Sequence, residues 1–151
     1  MQVNHLNIVV ADMDRTLAFY VGLLKMRQTF EVILEGEWIE SVVGLPEARA
    51  RCVFVQPDKG GCRLELLQYL VPAGESLPSN ALANTLGLRH FALDVDDLDA
   101  EYARLSESGV NFVSPPVMVP FQLVGGIQKS LCYCHDPDGV IVELCEHRRV
   151  S

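Results

Sequence analysis

Hydrophobic and polar positions change period several times along the chain, and the changes mark elements. His5-Leu-Asn-Ile-Val-Val10 alternates weakly and is rich in β-branched residues, which predicts a strand. Asp12-Met13-Asp14 then sets acids where a helix N-terminus favours them. Leu17, Tyr20, Val21 and Leu24 follow at three- and four-residue steps, the stripe of an amphipathic helix whose inner face must cover a sheet. Met26 to Glu35 reads as a second strand, while Gly36 to Pro46 carries no assignable period. Arg49 to Gln56 and Cys62 to Tyr69 read as strands joined by the turn Pro57-Asp58-Lys59-Gly60-Gly61. These segments make one β-α-β-β-β unit.

From Val71 to Leu88 the pattern is broken by Pro72, Gly74, Pro78 and Gly87 around a short apolar piece, Ala81 to Leu86, as expected of a linker. Then it restarts. His90 to Val95 is a strand, Asp96-Asp97-Leu98-Asp99 a helix start, and Leu98, Tyr102 and Leu105 an inner face ended by Gly109. Val110 to Val113 reads as a strand. Pro115-Pro116 and the stretch from Pro120 to Gly126 read as a long loop, with 116–126 a candidate lid over a substrate. Lys129 to Cys134 and Val140 to Cys145 form a last hairpin across Asp136-Pro137-Asp138-Gly139, where Pro presets the first turn angle and Gly supplies the left-handed one.

The restart is a repeat. His5-x-x-Ile8-x-Val10-x-Asp12-Met13-Asp14 matches His90-x-x-Leu93-x-Val95-x-Asp97-Leu98-Asp99 without a gap at an offset of 85. Leu64-Glu65-Leu66 matches Val142-Glu143-Leu144 at an offset of 78. The expected organisation is a single domain over 1–151, with module one at 1–70, a linker at 71–88 and module two at 89–147. Glu143 lies in a run too apolar for a solvent-facing strand, so its carboxylate calls for protonation, an ion pair or a metal. The repeat supplies Glu65 as its twin and His5 and His90 as partners, and modules paired through their sheets would bring all four around a pseudo-twofold axis. Two imidazoles and two carboxylates suit a borderline divalent ion such as Zn²⁺, Ni²⁺, Co²⁺ or Mn²⁺. His135 and His147 lack partners in the repeat and read as surface or supporting residues. Cys145 shares a strand face with Glu143, so it lines the same cavity or fills the core.

Composition narrows the classes. At 151 residues and 49% hydrophobic, the chain can bury a proper core without staples. Five cysteines, with Cys132-Tyr133-Cys134 at the wrong spacing for a zinc knuckle or redox motif, read as reduced core residues of a cytoplasmic protein. The first residues lack a signal-peptide pattern and no run approaches a membrane span. Net charge −8 with 12 Lys+Arg argues against nucleic acid and anionic membranes as main partners, leaving Arg148-Arg149 as a place for a single phosphate.

The motifs His5-Leu-Asn-Ile-Val-Val, Arg63-Leu-Glu-Leu-Leu, Leu88-Arg-His-Phe-Ala-Leu-Asp-Val-Asp-Asp and Asp136-Pro-Asp-Gly-Val-Ile-Val-Glu-Leu resemble the vicinal oxygen chelate superfamily, which includes glyoxalase I, methylmalonyl-CoA epimerase, extradiol dioxygenases and drug-resistance proteins. The resemblance runs from Val3 to Glu146. It implies an α+β fold of two tandem βαβββ modules forming a cupped mixed sheet around a metal held by His5, Glu65, His90 and Glu143. It also implies a homodimer acting on a small molecule: an acyl-CoA, a thiol adduct or another carbonyl compound. The implied chemistry is proton removal next to a metal-bound carbonyl, with Glu143 as base.

Pro46-Glu47 resembles an epimerase stretch in which the Glu is an acid/base, so Glu47 becomes the second catalytic candidate, against an exposed turn residue. Glu65 itself stands where epimerases usually carry Gln. Val9 and Tyr69 stand where bacterial glyoxalases tend to carry a basic residue for glutathione and an Asn. Lys25 replaces the Gly that ends the first helix in many relatives, with Gly22 expected to serve instead. The alternatives are an Fe(II) extradiol-type dioxygenase using His5, His90 and Glu143, and a non-catalytic binder of a drug or metabolite.

Overall fold

The restart in hydrophobic pattern near residue 90 is a restart in topology. The computed structural model describes residues 2–76, 78 and 82–149, and the chain divides into two units, Met1–Ser76 and Leu77–Ser151. The first contains β1 (His5–Val9), α1 (Met13–Leu17) running on into a π-helical stretch (Ala18–Leu23), β2 (Arg27–Leu34), α2 (Glu37–Val43), β3 (Arg49–Gln56) and β4 (Arg63–Val71). The second contains β5 (His90–Asp94), α3 (Leu98–Glu107), β6 (Val117–Leu123), β7 (Ile127–His135) and β8 (Ile141–Arg149). Each unit holds one four-stranded mixed sheet, ordered β1-β4-β3-β2 and β5-β8-β7-β6, with the first pair parallel and the others antiparallel. This is the α+β, βαβββ architecture expected from the sequence, with α2 added in the unassigned segment. Among the described residues no helix is long and apolar enough to cross a membrane. Part of the expected 71–88 linker, residues 77 and 79–81, lies outside the described residues.

Helices α1 and α3 are each started twice over. Asp12 and Asp97 cap α1 and α3 by accepting from the amides of Arg15 and Ala100, both at 3.0 Å. The amide of the first helical residue is then met from the sheet: Met13 N–H donates to Gln68 Oε1 at 3.1 Å, and Leu98 N–H to Glu146 Oε2 at 3.0 Å. Gln68 and Glu146 stand at the offset of 78 that relates Glu65 to Glu143. Glu146 also pairs with Arg148, and that guanidinium, with the Leu98 amide, holds its carboxyl below the ordinary range. Helix and sheet bury Met13, Tyr20, Val53, Val55 and Leu66 in the first unit, and Leu98, Leu105, Cys132, Val142 and Leu144 in the second. Burial of such a side chain contributes roughly 1.5–3 kcal/mol. The stripe in α1 differs from the one expected: Met13, Thr16, Phe19 and Tyr20 are buried, whereas Leu17, Val21 and Leu24 are half-buried, because π-helical winding after Leu17 rotates the inward face.

Four expectations are corrected. Val110 to Val113 forms only an isolated bridge, Phe112 to Cys134, and Phe112 instead packs edge-on against Tyr102 of α3 with centroids 4.7 Å apart. The expected lid at 116–126 is mostly the edge strand β6. Pro120 is tolerated there because an edge strand need not donate on both sides. Between Met118 and Gln122 the ladder is irregular, and Gln128 Nε2 donates to the Val119 carbonyl at 2.7 Å. Gly22 does not end the first helix. Lys25 itself takes the left-handed conformation, φ 58°, with its ammonium donating to the Gly22 carbonyl at 2.6 Å. Of the cysteines, all free, Cys62 is exposed and belongs to no core.

A left-handed backbone at a non-glycine residue costs about 1 kcal/mol. Lys25→Gly is therefore expected to stabilise the protein by about 0.5–1 kcal/mol in urea denaturation, even though the contact to Gly22 is lost. A loss of stability would show that the lysine contact outweighs the strain.

Candidate metal centre

The parallel pairs decide which side chains meet. In the first unit Asn7 lies opposite Glu65 and His5 opposite Arg63; in the second, Ala92 lies opposite Glu143 and His90 opposite Ile141. Because side chains alternate along a strand, each His emerges on the face of its Glu, one ladder step away. His5 Nε2 is 3.5 Å from Glu65 Oε2, and His90 Nε2 is 3.3 Å from Glu143 Oε2. Within each unit the structure thus brings together the two residues that the repeat singled out. The next strand adds an aromatic residue to each pair. Phe54, opposite Glu65, meets the His5 ring edge-on at 5.6 Å; Tyr133, opposite Glu143, lies tilted against the His90 ring at 5.1 Å.

Hydrogen bonding fixes the tautomer of His5. Arg63 donates to Asn4 Oδ1 at 2.7 Å, so that atom is an acceptor, and His5 Nδ1, 3.0 Å from it, must be the donor. In the neutral ring Nε2 then turns a lone pair toward Glu65 Oε2. Two acceptors 3.5 Å apart repel unless a proton or cation stands between them, and this donor set suits a divalent ion of the zinc type. Asn7 Nδ2 donates to the same Glu65 oxygen at 3.1 Å, and Cys52 faces the other at 3.8 Å. Burial first, then the Glu65 charge, push the Cys52 thiol up to about 11, so it acts as a neutral donor.

The second pair is charged differently. Glu143 is buried, at 4% exposure, while the Glu65 side chain is partly accessible. Lys129 of β7 places its ammonium 2.5 Å from Glu143 Oε1, and that hydrogen bond raises the lysine above its ordinary value against the desolvation that opposes it. Sequence reading missed Lys129. Its signal was the one lysine of that strand, on the same face as Tyr133. Of the three remedies considered for a buried Glu143, the ion pair is present. In the first unit the matching position is Ala50, so among the described residues only the second pair carries its own cation.

Glu47 sits apart from its unit's pair, exposed in the turn before β3, with a left-handed φ of 55°. His135 ends β7, half-buried. His147 is not isolated: its Nδ1 lies 2.8 Å from Asp94 Oδ1.

Breaking a partly buried charge pair from one side leaves the other charge unmatched. Lys129→Met is expected to lower the stability of chelator-treated protein by about 2 kcal/mol, and the further change Glu143→Gln to restore much of the loss. Strictly additive effects of the two substitutions in urea denaturation would contradict this pairing.

A sequence model described as the Glyoxalase/Bleomycin resistance protein/Dioxygenase superfamily matches residues 2–144. Among curated proteins, the mitochondrial methylmalonyl-CoA epimerase of Homo sapiens is 28% identical over 148 residues, covering 95% of this chain and 72% of the relative. Glyoxylase I 4 of Arabidopsis thaliana is 24% identical, covering 94% and 68%. Among solved structures, a glyoxalase family protein from Bacillus cereus superposes with a TM-score of 0.81 at 24% identity over 97% of this chain and 94% of its own.

Proposed function

The chain belongs to the Glyoxalase/Bleomycin resistance protein/Dioxygenase superfamily, and from that premise we propose that it is a metal-dependent isomerase or lyase moving a proton next to a substrate carbonyl. The observation that carries this reading is the duplicated His–Glu pair, at 3.5 and 3.3 Å, with the His5 lone pair turned toward a carboxylate. In this reading 1–151 is one domain, module one at 1–70 and module two at 89–147 joined through 71–88. His5, Glu65, His90 and Glu143 would hold Zn²⁺, Ni²⁺, Co²⁺ or Mn²⁺. When bound, such an ion polarises a carbonyl and stabilises the oxyanion formed as the adjacent proton leaves.

The chain's own residues supply the rest. Glu143 takes the proton and returns it to the same or a neighbouring carbon. Lys129 fixes one of its oxygens and leaves the other on the His90 side. Phe54 and Tyr133 wall each imidazole against rotation. An epimerisation needs a second acid on the opposite face of the carbon, and Glu47 is the candidate. Its left-handed backbone is the kind of local strain found at functional turns. A glyoxalase-like isomerisation can run on Glu143 alone. The substrate classes are an acyl-CoA with an acidic α-proton and a thiol adduct of a ketoaldehyde. A second reading, a non-catalytic binder, is favoured by one observation: Lys129 already neutralises Glu143 without a metal.

Metal analysis of protein purified without chelators separates the two. The enzyme reading expects bound divalent ion, with affinity reduced about tenfold or more in Glu65→Gln and in Glu143→Gln. Wild-type protein that stays metal-free after reconstitution favours the binder. With metal bound, α-proton exchange of methylmalonyl-CoA into D₂O tests epimerisation, and turnover of the methylglyoxal–glutathione hemithioacetal tests the glyoxalase-like reaction. Unchanged exchange in Glu47→Gln removes Glu47 from the mechanism.

A further inference from the structure

The site face of the second sheet continues past Glu143. Cys145 and His147 follow it at two-residue steps on β8, and Asp94 of β5 lies opposite Cys145 in the parallel ladder. All three side chains therefore emerge on one face, about 7 Å, or two residues, beyond the Ala92–Glu143 step. His147 Nδ1 is 2.8 Å from Asp94 Oδ1, and Cys145 Sγ is 3.3 Å from the same oxygen. The three ligand atoms lie within 4.8 Å of one another, the only such trio of His, Cys, Asp or Glu side chains among the described residues.

We propose that Asp94, Cys145 and His147 form a second cation site, for a thiophilic divalent ion such as Zn²⁺ or Co²⁺, sharing no side chain with the His–Glu pairs. The donor set is mixed nitrogen, oxygen and sulfur, which selects these ions over Mg²⁺ or Ca²⁺. Bond lengths of about 2.0–2.3 Å to a tetrahedral ion set ligand atoms about 3.3–3.6 Å apart, so the His147–Asp94 contact at 2.8 Å must open by about half an ångström and the widest pair, within 4.8 Å, must close toward that range. The fourth position faces solvent. Asp94 is largely exposed and the His147 ring partly so, giving an ion a path in, while Cys145, at 3% exposure, backs the site from the sheet. Binding releases the Cys145 thiol proton to solvent, while His147 ligates as the neutral ring through Nδ1 with its ring proton on Nε2. In the metal-free protein the thiol stays protonated, pushed up to about 12 by burial and then by Asp94.

Cobalt titration of the intact protein reads this site directly, because thiolate-to-cobalt charge transfer absorbs in the near ultraviolet and His–Glu ligation does not. The band is expected in wild type and in Glu143→Gln, absent in Cys145→Ser, and weakened about tenfold or more in apparent affinity in His147→Gln. His147 is partly exposed, so that variant decides the question if Cys145→Ser fails to fold. No band in wild type, a band kept at full affinity in either variant, or a band that requires Cys52 in its place would overturn the site. None of these outcomes depends on whether the His–Glu residues bind metal, which Glu65→Gln and Glu143→Gln report separately.

Discussion

Both halves of the chain depend on a parallel pairing between strands far apart in sequence, β1 with β4 and β5 with β8. Neither pair is joined by a turn, so its register is set by what each face must bury. One face presents Ile8, Leu64 and Leu66, or Val142 and Leu144, to a helix. A slip of one residue would exchange those side chains with Glu65 or Glu143 and bury a bare carboxylate under the helix. Hydrophobic burial on one side of the sheet thereby fixes, on the other side, the step that brings each histidine to its carboxylate.

The duplication preserved that step and let the electrostatics diverge. In the first unit Glu65 is served by neutral donors, the Asn7 amide and the Cys52 thiol, and stays partly in contact with water. In the second, Glu143 is buried and met by an ammonium. Two carboxylates at equivalent positions of the repeat therefore stand in different surroundings. The arrangement suits a division of labour in which one holds an ion and the other also handles a proton. The helix contacts diverged in parallel, Gln68 neutral in the first unit and Glu146 paired with Arg148 in the second.

Much of this was legible in the residues because repeats are read by comparison with themselves. The gapless match of His5 to Asp14 with His90 to Asp99 located the first strand of each half, both N-capping aspartates and both histidines, and the match of Leu64–Leu66 with Val142–Leu144 located both glutamates. What escaped detection lacked that support. Lys129 has no counterpart, since Ala50 stands in its place, and its partner lies on the neighbouring strand, 14 residues on in sequence. Strand β6 was hidden by Pro120, whose missing donor matters only where a neighbour needs it, and an edge has none on one side. Helix α2 is short and framed by Gly36 and Gly44, which read locally as a loop. Lys25 shows the limit of residue preference: the chain reverses where the packing of Tyr20 and Met26 requires, and lysine accepts the conformation.

The alternation of β8 has a consequence for how this chain can vary in length. Val142, Leu144 and Glu146 are committed to the helix side, and Glu143, Cys145 and His147 to the opposite face. An inserted or deleted residue anywhere between 142 and 147 would invert every assignment beyond it. The flanking Asp136–Gly139 turn is anchored by Asp136, whose carboxylate accepts from the amides of Asp138 and Val140 at 2.9 and 2.8 Å. Length changes are therefore confined to segments outside both, such as the Pro57–Gly61 turn or the connection between the units. Drift in this lineage would leave β8 as a stretch of constant spacing, a fixed ruler against which the rest of the domain is free to lengthen.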